Sequence, residues 1–161
     1  MLKFLKFKEK PKLDPKREFQ RQIVEDMEKY TKKCDFNGEQ VGFITKLSMK
    51  MKIRPERIIE TISLNATKTK TEVNSTKKND TKKSIKIGYK WEINDYTLNK
   101  YYNKINEYER IVKKEQGYKK GHYKERLKRY ENIVEILYSV KDKDELIQKT
   151  AEKSGFKPLD F

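Results

Sequence analysis

Catalysis by side chains needs a nucleophile beside a base, or a cluster of metal ligands, and this sequence holds few parts for either. His122 is the only histidine and sits in a basic loop, and Cys34 is the only cysteine, so neither a Ser/His site nor a His-ligated centre has parts to build from, and no Cys/His zinc cluster is possible. The six glycines are scattered, and none opens a loop that could cradle a phosphate. Ten tyrosines keep a tyrosine nucleophile for strand cleavage in play, with adjacent Tyr101 and Tyr102 the pair to consider. Their three-four spacing with Leu98 and Ile105 favours core packing. The expectation is a protein that is not an enzyme, with no cofactor, no metal and no small-molecule substrate. Cys34 reads as a small buried residue after the first helix, and a lone thiol suits a reducing interior.

What the chain does carry is positive charge. Forty Lys and Arg against 25 Asp and Glu leave +15, which favours an anionic partner, nucleic acid first and an acidic membrane surface second. The excess is clustered. Residues 67–91 carry eight Lys against Glu72 and Asp80, and residues 113–129 eight Lys and Arg against Glu115 and Glu125, +6 in each stretch. Another +3 lies in residues 1–15, so the remainder sums to zero. Such clustering favours a binding footprint over charge kept for solubility. In the later stretch Lys119, Lys120, Lys124 and Arg126 form a second candidate basic surface, among which Tyr118, His122 and Tyr123 could stack on unpaired bases. Solvated turn residues are the plainer alternative there.

The elements that must position these charges follow from periodicity. From Pro15, Phe19, Ile23, Met27 and Tyr30 recur at helical spacing, bounded by the stretch from Asp35 to Gly38. A second helix runs from about Glu39 to Met51, and after Lys52 to Arg54, Pro55 opens a third that holds Ile58, Ile59 and Ile62. The period then changes to two. Thr67, Thr69, Thr71 and Val73 alternate with polar residues, as do Ile85, Ile87, Tyr89 and Trp91, and the turn-forming run Asn74 to Lys83 lies between them. Two strands with a basic tip are expected, the face from Ile85 to Trp91 packing on the helices, since an isolated hairpin is marginal in water. After Asn94 and Asp95 as caps, Leu98 to Val112 and Tyr123 to Leu137 read as two helices joined by a short loop, hence antiparallel neighbours. A last helix near Lys143 to Lys153 has Asp142 and Glu145 spaced as a capping box and Gly155 as its stop. The expected class is mainly α with a β-hairpin. Its division is a basic arm over residues 1–15, a helical and hairpin domain over 16–92 with the hairpin at about 67–91, and a helical region over 93–161.

The order helix, helix, helix, hairpin resembles the winged helix-turn-helix superfamily. The stretch ITKLSMKMKIRPERIIETIS, Ile44 to Ser63, places Leu47, small Ser48, Met51, Ile53, Ile58 and Ile62 where that family's core contacts fall. It departs at Lys52, where the family usually has Gly to turn the chain with positive φ. The resemblance implies double-stranded DNA as partner, with the third helix in the major groove and the hairpin as a wing on the backbone or minor groove. It makes Arg54, Glu56, Arg57, Glu60 and Thr61 the groove-facing candidates, and Lys68, Lys70, Lys77, Lys78, Lys82, Lys83 and Lys86 the wing's phosphate contacts. Glu56 and Glu60 cancel the two arginines, which shifts weight towards the wing. A hairpin whose lysines only guard its edges, and a plain core helix, are the readings without DNA.

The expectation is therefore a sequence-selective duplex-binding protein, a regulator or an accessory factor in replication or transfer of a plasmid or phage, the Lys, Asn, Ile and Tyr bias being compatible with an AT-rich genome. A non-catalytic RNA or single-strand binder and a helical scaffold are the alternatives. The C-terminal helices could pair with a second copy as a homodimer or complete the core of one chain. The N-terminal arm could add a strand to the wing, enter a minor groove or anchor weakly at a membrane surface. No apolar run approaches the ~20 residues of a membrane span, and the start lacks a signal-peptide core, so a cytoplasmic location is expected and a membrane partner is not.

Overall fold

Three helix starts are set by short polar side chains or proline. Asp14 accepts a hydrogen bond from the Lys16 amide and Pro15 sits in the first turn of α1, Pro15–Cys34, where a missing N–H costs nothing. Asn37 and Gln40 close a reciprocal capping box on α2, Gly38–Met51. Pro55 opens α3, Pro55–Asn65. The computed structural model describes residues 14–74, 85–115 and 117–157. Each of these three helices packs on the other two.

The chain then forms β1, Thr67–Asn74, and β2, Ile85–Glu92. They pair antiparallel, with Thr67 opposite Glu92 and Asn74 opposite Ile85. Asn94 caps α4, Asp95–Lys114, through the Thr97 amide, and α5, Tyr118–Val140, follows after a short connection. The rings of α4 and α5 meet in reverse chain order: Tyr101 lies 5.9 Å from Tyr130, and Tyr108 lies 5.5 Å from Tyr130 and 5.9 Å from Tyr123. The last helix, α6, spans Asp144–Lys153. The described fold is thus mostly helical with one two-stranded antiparallel sheet.

One apolar core joins these pieces. Ile44 of α2 and Ile58, Ile59 and Ile62 of α3 are fully buried together with Leu137 and Val140 of α5 and Ile147 of α6. Each such side chain contributes about 1.5–3 kcal/mol by leaving water. The core therefore crosses the division near residue 92 that charge and periodicity suggest. Polar bonds reinforce the join: the Ser63 hydroxyl donates to the Phe156 carbonyl at 2.6 Å, and the Lys149 ammonium to the Asp35 carbonyl at 2.9 Å. Among the described residues no helix is long and apolar enough to cross a membrane.

Two local expectations are corrected. The capping box from Asp142 to Glu145 is not formed, because α6 starts one residue later, after Lys143, which makes no side-chain cap bond. The face of β2 carrying Tyr89 and Trp91 is not uniformly apolar: cross-strand pairing sets Lys68 opposite Trp91 and Lys70 opposite Tyr89. Directly opposed residues share a face. Trp91 packs against the core while Tyr89 stays 51% exposed.

Candidate nucleic-acid interface

The turn between α2 and α3 is built around Ser48 and Lys52. Lys52 takes the left-handed conformation, φ 56° and ψ 43°, and donates its amide to the Ser48 carbonyl. The Ile53 amide reaches the same carbonyl at 3.2 Å, and the Ser48 hydroxyl donates to the Ile53 carbonyl. Ser48 is fully buried, so a larger side chain would lift α3 off α2. A lysine here does what glycine does more cheaply, at a cost of about 1–2 kcal/mol.

The start of α3 is fastened to α1. Arg54 donates to both carboxylate oxygens of Asp26, Nε to Oδ2 at 3.1 Å and Nη2 to Oδ1 at 2.9 Å. Asp26 is buried, 6% exposed, whereas the Arg54 side chain is nearly half exposed. The Tyr30 hydroxyl donates to Glu56 Oε1 at 2.8 Å, and Lys29 lies 4.0 Å from the same oxygen. Burial first, then the bond to Glu56, raises the Tyr30 pKa, so the hydroxyl remains a donor. Thr61 is buried and donates to the Arg57 carbonyl at 2.8 Å.

These bonds sort the five groove-facing candidates. Arg54 and Glu56 hold α3 in place, Thr61 faces inward, and Glu60 is partly exposed. Arg57 alone of the five is exposed with no side-chain hydrogen bond or ion pair among the described residues. Arg57 does not stand on an isolated surface. A cleft of about 830 Å³ separates α3 from α5, with Arg54, Arg57 and Glu60 on one wall and Lys128, Arg129 and Asn132 on the other. Ile133 and Ile136 lie along its α5 side. Lys128 and Arg129 belong to the basic stretch recognised from charge, yet only the contact of α5 with α3 brings them opposite Arg57.

In the sheet, Lys68 Nζ lies 4.2 Å from the Tyr89 ring centroid and 5.7 Å from that of Trp91. This cation-over-ring contact keeps the ammonium beside an exposed aromatic. Lys70 is exposed on the same face, and Lys90 is drawn to Asp144 of α6 at 3.2 Å. Lys77, Lys78, Lys82 and Lys83 lie outside the described residues, and Lys86 is placed only by its backbone, opposite Val73.

Along α5, Lys119, Lys124 and Arg126 are exposed and Lys120 is half-buried. His122 sits with its ring 5.8 Å from Tyr123. Tyr101 is committed to structure, its hydroxyl donating to Asn65 Oδ1 at 2.6 Å, while Tyr102 points outward, 43% exposed. Cys34 is fully buried, and burial pushes its thiol up to about 11, which keeps it protonated and unreactive near neutrality.

Comparison with protein-family models, with curated proteins and with solved structures finds no match to this chain.

Proposed function

We propose that the chain binds double-stranded DNA in the manner of a winged helix, with α3 presented to the major groove and the lysine-lined hairpin set on the backbone. The observation that carries this is the unit from Ser48 to Arg57. A left-handed Lys52 turns the chain, the Arg54–Asp26 bond fixes the angle of α3, and Arg57 is held out without a partner among the described residues. Arginine is the commonest reader of guanine through its O6 and N7. With one free reader and many lysines, affinity comes chiefly from phosphates and selectivity from few base contacts. Such a protein fits a regulator, or an accessory factor in replication or transfer of a plasmid or phage. Pairing of two copies through the C-terminal helices would present two such units to two half-sites.

A single-strand reading draws on one observation, the exposed Tyr89 ring beneath Lys68, a stacking surface with a cation attached. Gel-shift competition between duplex fragments and single strands across a salt series separates the two. Duplex binding requires that some duplex outcompete both random duplex and single strands at moderate salt. Within it, Arg57→Ala is expected to relax base preference at one position and cost ~1–3 kcal/mol on the preferred site, with little loss on random DNA. Equal losses on both would remove Arg57 from base reading.

A further inference from the structure

A second groove lies between α4 and α5. Lys100, Lys104, Arg126 and Arg129 line it together with Tyr101, Tyr130 and Ile133, in a space of about 460 Å³. Its charged lining is entirely cationic. Several surface cations elsewhere are paired: Arg21 with Glu18 and Glu25, Lys50 with Glu135, Lys141 with Asp95 and Lys149 with Glu145. In the groove Lys104 reaches Glu107 at 3.6 Å and Lys100 has a contact of its own, whereas the side chains of Arg126 and Arg129 make no hydrogen bond or ion pair among the described residues. The two arginine side chains, one helical turn apart on α5, concentrate positive charge that an anion between them would offset.

Arg129, Tyr101 and Ile133 line this groove and the α3–α5 cleft alike. The two spaces therefore adjoin at Arg129, the cleft carrying Glu56, Glu60 and Glu125 beside its cations and the groove carrying cations alone. Lys100 and Lys104 are one helical turn apart, about 6 Å along the axis. Successive phosphates of one DNA strand advance about 3.4 Å along the duplex, so the groove has the length of about two phosphates.

Resting on the duplex-binding reading, we propose that the α4–α5 groove is a second seat for the DNA backbone. Arg126 and Arg129 hold phosphates there at the same time as α3 and the hairpin engage the duplex. The seat differs from the turn lysines Lys119 and Lys120, which do not line the groove.

The test is the slope of log affinity against log salt, measured on duplex DNA with the full chain. Arg126→Gln with Arg129→Gln is expected to lower the slope by ~1.8, at ~0.9 for each phosphate left without its arginine. Lys16→Gln with Arg17→Gln removes the same charge from exposed positions at the start of α1, outside the groove and outside every basic surface named above, and is expected to leave the slope at the wild-type value. Should the arginine pair fail to fold, Lys100→Gln with Lys104→Gln reads the opposite wall in the same way. An unchanged slope in the groove variants, or an equal fall in both pairs, overturns the proposal. The slope can be read on random duplex, so loss of sequence selectivity alone would sink the regulator reading and leave the groove standing. Inorganic tripolyphosphate is the control for a free anion. If it raises the wild-type melting temperature and not that of the groove variant, while the DNA slope is unchanged, the groove belongs to free phosphates and the proposal falls.

Discussion

At the scale of single residues, the same side-chain type divides into two jobs within one turn of α3. Arg54 and Arg57 are three residues apart and read alike in a charge count, yet Arg54 is spent on a carboxylate of α1. Their difference comes from Asp26, 28 positions upstream of Arg54, and no local pattern announces a partner at that distance. Arg54 is therefore a positioning residue whose loss acts through the fold. Removing it leaves Asp26 buried with its strongest donor gone, an outcome that costs about 1–3 kcal/mol. Urea unfolding should place Arg54→Ala below Arg54→Lys and both below the wild type, because lysine keeps the charge and loses the two-pronged bond. Equal stability of all three would mean that the pair contributes nothing to holding α3. The contrast with Arg57→Ala, expected to touch selectivity and leave stability alone, keeps the two roles separable.

At the scale of elements, most of the architecture was legible. Residues at 3.6 spacing, such as Ile23, Met27 and Tyr30 or Ile58 and Ile62, became buried stripes as their period requires. The alternation on either side of Asn74 to Lys83 became a paired hairpin. Register was not legible, since nothing in either strand alone specifies that Lys68 faces Trp91. The start of α6 also escaped, because the helix begins after Lys143 with no side-chain cap, so the Asp142 signal goes unused. The α2–α3 turn is the point where sequence and structure disagree in preference while agreeing in shape: Lys52 holds φ 56°, a conformation that favours glycine. Replacing it should relieve ~1–2 kcal/mol of backbone strain and lose ~0.4–1 kcal/mol to the freer unfolded chain. Lys52→Gly is thus expected to raise stability by about 0–1.6 kcal/mol in denaturant titration. Destabilisation would show that the Lys52 side chain contributes packing that outweighs the strain.

At the scale of the whole molecule, the charge pattern divided the chain more sharply than its core does. Charge is a surface property and can cluster by function, while packing follows volume and apolar area. The pairing of α5 with α3 and the seating of α6 on α1, α3 and β2 depend on faces that lie far apart in the chain, so the sequence shows the faces without their partners. The consequence is mechanical. If α3 and α6 share one core, weakening α6 must weaken the helix proposed to read DNA. Ile147 is fully buried on α6, far along the chain from α3. Ile147→Ala should cost about 2–5 kcal/mol, the range for a large aliphatic residue cut back in a core. Hydrogen exchange then reads where that cost is felt. In a cooperative unit the most protected amides of α3 and α6 lose protection together, by about 30-fold or more, since each 1.4 kcal/mol is a factor of ten. Loss confined to α6 would show that α1–α3 and the hairpin hold their shape without it, and that the division near residue 92 is a real boundary of stability.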